Sequence, residues 1–200
     1  MKHLKSYNRF INEAIISTRP GDGQLLTSIL QKYVGKKEEG NNSGEMVKNF
    51  LKSVGLGGGK PWCMAFVKYV FDEFCKAKGI PNPLPVTGGT LNFLREAPAE
   101  NKIPIEAAKL NPNLVLPGQI FIKGRKGGGH TGIIIKVEGD SFYSIDGNSS
   151  DMVKVNKYKI ANMLGFVDFF KNPSLSAEFA NFANSLMSGG QVSMGGGKED

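Results

Sequence analysis

The chain has 200 residues, of which 40% are apolar, including 13 Phe and 5 Tyr. This length suits one packed domain with some additional chain at its ends, and the composition excludes general disorder. The net charge of +7 favours an anionic partner such as nucleic acid, a membrane surface or a bacterial cell wall, unless it only keeps the surface soluble. Because the lysines before Cys63 are not interleaved with stacking aromatic residues, we expect no specific nucleic acid as a partner.

Residues 1–17 place apolar side chains at helical spacing, and the sequence TRPGDG ends that pattern. We interpret residues 1–20 as an N-terminal extension outside the main domain. Polar residues interrupt this segment, and no stretch of the chain approaches the roughly 20 apolar residues that span a membrane. The sequence therefore predicts neither a secretory signal nor a transmembrane segment, and we expect synthesis in a reducing cytoplasm.

Three amphipathic helices are predicted next, over residues 25–34, 46–54 and 61–78. Gly35 closes the first helix, and Gly79 followed by Pro81 closes the third. A long connection containing a helical turn at residues 91–94 follows. The sequence thus places its helices in the first half of the domain.

Five short strand-like runs occupy residues 119–123, 131–138, 141–146, 151–158 and 163–170. Helices followed by an antiparallel meander predict an α+β fold. We assign residues 21–171 to this domain and residues 172–200 to a flexible C-terminal tail, which carries one weak amphipathic helix from Leu175 to Met187.

Cys63 stands at the first turn of the third predicted helix, where unsatisfied backbone N–H groups and the helix dipole lower the pKa of a thiol. This is a suitable position for a nucleophile, although a buried structural thiol is an alternative interpretation. Cys75 lies late in the same helix, where a small buried apolar side chain is the better explanation. Twelve residues of helix separate the two thiols by about 18 Å, which excludes a disulfide.

A cysteine nucleophile needs a base, and the chain has only two histidines. His3 lies in the extension, so the candidate is His130, which follows three glycines at the start of a predicted strand. The residue that orients the imidazole would be Asp146 at a strand end or Asn148 in the next turn, although both residue types are also common in turns.

Strand alternation adds one expectation about the space around these side chains. It places Asp146 on one face with Ser144, and His130 on one face with Gly132. The small neighbours leave room beside each candidate catalytic side chain.

Metal and nucleotide chemistry have little support in the sequence. Two cysteines and one usable histidine, far apart in the chain, give no recognisable spacing for zinc ligands. The glycine run GLGGGK lacks the ending of a phosphate-binding loop. We therefore expect no cofactor and no metal.

Three stretches together resemble the CHAP family of peptidoglycan amidases and endopeptidases, within the papain-like NlpC/P60 group. They are GKPWCMAFVKYVF, LPGQIFI and GGGHTGIIIKVEGDSFYSIDGNSSD, and the resemblance covers roughly residues 22–170. It implies a papain-like fold with helices packed on an antiparallel sheet. The implied partner is bacterial peptidoglycan, and the implied reaction is cleavage of an amide bond through a thioester.

The resemblance also implies roles for individual residues. Cys63 would be the nucleophile, His130 the general base and then acid, and Asp146 the orienting residue with Asn148 as a helper. We expect two flanking residues, Trp62 and Gly129, to contact the substrate. One departure from the family pattern is Gln119 in place of an aspartate, which should affect a turn more than the chemistry. A longer connection between residues 81 and 117 leaves specificity open.

The sequence MKHLKSYNRFINEA is similar to short capsid-targeting leaders of proteins packaged in the heads of T4-like phages. In those proteins the head-maturation protease cuts after an Ile/Leu-x-Glu sequence, here ending at Glu13. This similarity implies a phage virion or the host cell wall as the place of action, and phage head or tail proteins as further partners.

Two other functions remain open at this level. The same scaffold could hydrolyse a protein or an ester, as other papain-like relatives do. A catalytically idle module could bind cell walls or serve as a virion structural component, with its positive charge supplying affinity. The joint presence of Cys63, His130 and Asp146 argues against the idle module.

Overall fold

The structure, a computed structural model, describes residue 16, residues 20–170 and residues 175–189. Within these residues, six α-helices accompany one six-stranded antiparallel sheet. The predicted α+β class is confirmed. No helix in these ranges combines the length and the apolar character needed to cross a membrane.

Most of the helices precede the sheet in the chain. Their bounds are α1 (Asp22–Gln31), α2 (Glu45–Ser53), α3 (Cys63–Lys78), α4 (Thr90–Glu96), α5 (Ile105–Leu110) and α6 (Leu175–Ser188). The first three agree with the predicted helices to within a few residues. Gly79 ends α3 with a φ of 66°, a left-handed conformation that glycine adopts without steric cost.

The strands are β1 (Lys102–Pro104), β2 (Ile120–Arg125), β3 (Gly128–Glu138), β4 (Ser141–Asp146), β5 (Lys154–Lys159) and β6 (Gly165–Val167). Their order in the sheet is β1-β6-β2-β3-β4-β5. The predicted meander is present from β2 to β5. The last strand, however, returns to the other edge and pairs with β2 instead of following β5.

The two faces of the sheet bury different apolar clusters, as the alternation of side chains along a strand requires. Ile133, Ile145 and Val155 belong to the main core, which includes most of the buried side chains of α3. Phe121 and Phe142 belong to a second cluster on the opposite face, beneath α5. The main core fixes α3 against the sheet.

Helix α6 is part of the domain, which corrects the prediction of a flexible tail for residues 175–189. Phe179, Ala183 and Leu186 are buried in the main core. The Glu178 carboxylate accepts hydrogen bonds from the backbone N–H groups of Gly21 and Gln24, each at 2.9 Å, and so caps the start of α1. The apolar side of this helix finds a partner surface, which a sequence pattern does not reveal. Residues 190–200 lie outside the described residues.

The boundary predicted between residues 20 and 21 falls after a residue that already contacts the domain. Ile16 is buried, and its N–H donates to the carbonyl of Phe169 at 2.7 Å. The proposed leader, including Glu13, lies outside the described residues.

Candidate active site

Cys63 is the first residue of α3, as the sequence predicts, and only 6% of its surface is exposed. Its Sγ lies 3.6 Å from Thr90 Oγ1 and 3.9 Å from the carbonyl oxygen of Gly129. The thiol is therefore enclosed by the starts of two helices, α3 and α4, and by the first residues of strand β3. Cys75, the other free thiol, is also buried and lies near the end of α3.

Trp62 precedes Cys63 and holds the start of α3 in place. Its indole is fully buried, its Nε1 donates to Glu38 Oε2 at 2.7 Å, and its ring packs on Phe50 with centroids 5.6 Å apart. A fully buried side chain offers no surface to a substrate, so the expected substrate contact by the indole is corrected to a positioning role. The anchored indole and the core contacts of α3 determine where Sγ points.

His130 lies at the start of β3 and bonds to Asp146 at the end of β4. The distance between His130 Nε2 and Asp146 Oδ2 is 3.1 Å, and both side chains are buried. Because Nε2 is engaged by the carboxylate, Nδ1 is the nitrogen available to the Cys63 sulfur. The two side chains are close enough for each to shift the pKa of the other. The structure thus brings the three predicted residues together in the order thiol, imidazole, carboxylate.

Two glycines permit this assembly. A Cβ at Gly132 would collide with the Asp146 carboxylate and would lie 2.6 Å from the backbone oxygen of Ile145. The carboxylate therefore occupies the space that a side chain at Gly132 would fill. A Cβ at Gly147 would lie 2.6 Å from Phe66 Cβ, so the turn after β4 approaches the first turn of α3 closely. Gly132 thus leaves room for the Asp146 carboxylate beside His130.

The Asp146 carboxylate accepts three further hydrogen bonds besides the one to His130. Tyr158 Oη donates to Oδ2 at 2.7 Å, Asn156 Nδ2 donates to Oδ2 at 2.9 Å, and Ser144 Oγ donates to Oδ1 at 2.7 Å. A buried carboxylate needs such donors, because a buried polar group without hydrogen-bond partners is costly. These residues fix the carboxylate that fixes the imidazole.

Tyr158 and Asn156 were missed by the sequence reasoning. Both lie on β5, where Ser144 pairs with Asn156, so alternation places them on the face of Asp146. Strand alternation predicts these two positions from the sequence once β4 and β5 are treated as neighbouring strands. Asn148 lies in the following turn with a φ of 55°, and it is not among the donors to Asp146 in the described part of the chain. Its helper role stays a prediction.

The charges of the site support a thiolate–imidazolium pair. Burial alone raises the pKa of the Cys63 thiol, but the hydrogen bond and charge of His130, with a smaller contribution from Thr90, lower it below its ordinary value. Burial lowers the pKa of His130, but the bonds to Asp146 and Cys63 outweigh it and raise that pKa to about 9. By contrast, burial raises the pKa of Cys75 to about 11. Of the two thiols, Cys63 therefore has the lower pKa, which is the property a nucleophilic cysteine requires.

Two exposed segments lie next to the starts of α3 and β3 along the chain. Residues 55–61 and residues 124–128 are exposed, and Gly129 is partly exposed beside Sγ. The substrate contact expected of Gly129 stays a prediction. A cavity of about 590 Å³ elsewhere is lined by residues 112–117, by the second half of β3 and by Ala180, and it includes none of the site residues.

Metal coordination is not supported by the described ranges, in which no group of three or more His, Cys, Asp or Glu side chains could hold an ion. Gln119, at which the sequence departs from the CHAP-like pattern, is buried. It donates to the carbonyl of Leu114 and to Asp168, and accepts from the Leu116 N–H, so it stabilises the chain leading into β2.

Comparisons of the chain with protein-family models, with curated proteins and with solved structures found no match. A functional proposal therefore depends on the geometry of the site and on the residues that form it.

Proposed function

We propose that this protein is a cysteine-dependent peptidoglycan hydrolase with a papain-like fold, which cleaves an amide bond as an amidase or an endopeptidase. The observation that carries the proposal is the buried series of Cys63 at a helix start, His130, and Asp146 at 3.1 Å from the imidazole. A structural thiol would need neither the imidazole nor the three further donors to the carboxylate. The cell-wall substrate is suggested by the CHAP-like motifs and by the net charge of +7.

The first half of the reaction is acylation of the sulfur. The Cys63 thiolate attacks the amide carbonyl carbon, a C–S bond forms, and the carbonyl electron pair moves to oxygen. When the tetrahedral intermediate collapses, the C–N bond breaks and the imidazolium of His130 donates its proton to the departing amine. The products of this step are a free amine and a thioester on Cys63.

The second half releases the acyl group. Neutral His130 accepts a proton from a water molecule, the resulting hydroxide equivalent attacks the thioester carbon, and the C–S bond breaks. The sulfur departs as thiolate, and the imidazolium–thiolate pair is restored. Asp146 keeps its Oδ2 on Nε2 throughout, so that Nδ1 carries the proton on the side of the sulfur.

The test is digestion of purified peptidoglycan from several bacteria with the wild type and with Cys63→Ala. Mass spectrometry of the released fragments identifies new amine termini and therefore the bond that is cut. We expect new amines only with the wild type, and Cys75→Ala should digest as the wild type does. Binding of both proteins to cell walls without release of fragments would reject the hydrolase and favour a wall-binding module.

Release of cleavage products from casein or from an ester substrate, without release of fragments from cell walls, would favour a papain-like hydrolase with another substrate. The identity of a bacterial host need not be known for this distinction, because peptidoglycans that differ in their stem peptides and cross-bridges can be compared directly. The proposed place of action, a phage virion or the host cell wall, is tested separately by detection of the protein in purified particles.

A further inference from the structure

Thr90 contacts the reactive sulfur but has no part in the thiol–imidazole–carboxylate series. It is the first residue of α4, its side chain is buried with 4% of the residue exposed, and Oγ1 lies 3.6 Å from Cys63 Sγ. Gly129 makes this approach possible, because a Cβ at that position would lie 3.0 Å from Thr90 Cβ. The start of α4 is therefore packed against β3 with a hydroxyl group directed at the nucleophile.

The direction of this hydrogen bond follows from the charge on the sulfur. A thiolate has no proton to give, so in the thiolate–imidazolium state the Thr90 hydroxyl donates and the sulfur accepts. A buried hydroxyl requires a partner, and this partner changes during acyl transfer. When the sulfur forms a bond to carbon, it loses the charge that made it a good acceptor.

A second donor lies at the start of α3. The backbone N–H of Met64 is in the first turn of that helix, where the first four N–H groups have no partner within the helix. The oxygen of a tetrahedral intermediate is attached to the carbon that binds the sulfur, so it forms beside these two donors. Effective donors in such sites lie about 2.7–3.1 Å from the position that the oxyanion will take.

We propose that the Thr90 hydroxyl and the Met64 N–H form the oxyanion-binding site of this protein. Thr90 then acts as a catalytic residue, transferring its hydrogen bond from the sulfur to the developing oxyanion. The inference rests on acyl transfer by Cys63, which is part of the proposed function, but it does not depend on peptidoglycan as the substrate. It also assigns a role to the connection between residues 81 and 117, which departs in length from the family pattern.

The test compares two reactions of the same sulfur. p-Nitrophenyl acetate acylates Cys63 through a tetrahedral oxyanion and expels p-nitrophenolate, whereas iodoacetamide alkylates Cys63 by displacing iodide and forms no oxyanion. Both rates are measured at a pH where the thiolate is fully formed, on Thr90→Val, Thr90→Ala and Thr90→Ser. Thr87→Val is the control, since Thr87 lies in the same connection and bonds only to a nearby backbone N–H among the described contacts.

Removal of the hydroxyl should lower the acylation rate about 100-fold, the loss typical of one oxyanion donor. The alkylation rate should stay within about threefold in the same variants, which also shows that the site is folded. Thr90→Ser should retain acylation, and Thr87→Val should behave as the wild type. An unchanged acylation rate, or an equal fall in both rates, would overturn the inference.

The two proposals fail in different ways. If cell walls are not cleaved while the acylation rate still depends on the Thr90 hydroxyl, the peptidoglycan substrate is wrong and the oxyanion site stands. If cell walls are cleaved equally well by the wild type and Thr90→Val, the hydrolase stands and the oxyanion role of Thr90 is rejected.

Discussion

The Tyr158 hydroxyl lies 2.7 Å from the Asp146 oxygen that also bonds to His130. A single oxygen, Oδ2, thus holds the imidazole and accepts from a phenol on the neighbouring strand. The raised pKa of Tyr158, caused by burial and by the adjacent carboxylate, keeps the phenol protonated as a donor. Tyr158 is therefore a positioning residue for the imidazole.

Tyr158→Phe should lower hydrolysis about tenfold, equivalent to about 1.4 kcal/mol of lost transition-state stabilisation. It removes one donor from Asp146 without changing the ring that packs in the second cluster. The value of kcat should fall more than KM rises, because the lost hydrogen bond acts on the imidazole through Asp146. Tyr143→Phe is the control, since Tyr143 lies on the opposite face of the sheet. Equal effects of the two substitutions would contradict the positioning role.

Gly132→Ala should abolish hydrolysis and destabilise the fold, because the new Cβ would collide with Asp146 and lie 2.6 Å from the backbone oxygen of Ile145. Gly128→Ala is a matched substitution on the same strand, at a position with no neighbouring atom within 4 Å of the new Cβ. Activity and urea-induced unfolding of both variants provide the measurement. Full activity in Gly132→Ala would mean that Asp146 does not need its present position.

The thiolate–imidazolium pair has a distinct effect on stability. His130 has a folded-state pKa of about 9, above its ordinary 6.5, so its contribution is complete below pH 6.5 and is lost as the pH rises to about 9. Cys63 has a lowered pKa, so its contribution is complete above the ordinary value of 9.0 and is lost as the pH falls. Between pH 6.5 and 9 the two trends cancel, because Cys63 and His130 together bind one proton in the folded state and one proton in the unfolded state.

In Cys63→Ala only the trend from His130 remains, because Asp146 still raises the pKa of the imidazole. The unfolding free energy of this variant should therefore fall relative to wild type as the pH rises above 6.5, by up to about 1.4 kcal/mol per pH unit. Urea titrations at several pH values provide the measurement. The unfolding free energy of Cys75→Ala should change with pH in the same way as that of the wild type. If the unfolding free energy of Cys63→Ala also changes with pH as that of the wild type does, the charged pair is excluded.

Helix α6 should contribute to the stability of the domain. Phe179→Ala removes a fully buried ring and should cost about 3–5 kcal/mol of unfolding free energy, whereas Phe182→Ala, at a half-buried position of the same helix, should cost clearly less. Urea denaturation of both variants measures the difference. Equal, small effects would mean that residues 175–189 form an independent tail after all.

Much of the candidate site could be predicted from the sequence because its elements have strong local signals. Cys63 follows a proline and a tryptophan at the start of an apolar helical pattern, and His130 follows three glycines before an apolar strand. Asp146 ends a strand whose bounds, Ser141–Asp146, match the predicted run. Local periodicity and turn residues were sufficient to place these three side chains at element ends that can meet.

The remaining features depend on tertiary pairing, which has no local signal. Strand β1 has three residues, ends in Pro104 and pairs with β6 at the far edge of the sheet. Thr90 reaches the sulfur only because α4 packs on Gly129. Trp62 seemed a suitable substrate contact next to the nucleophile, but the loop that carries Glu38 folds over its indole.

The pH dependence of the alkylation of Cys63 by iodoacetamide, followed by peptide mass spectrometry, tests the thiolate–imidazolium pair and the nucleophile together. We expect a rate that is nearly constant from pH 6 to 8, with Cys75 in the same protein as the unreactive reference. In His130→Gln the rate should instead rise steeply with pH over that range. A wild-type rate that also rises tenfold per pH unit, as for an ordinary thiol, would contradict the charged pair and the proposed nucleophile.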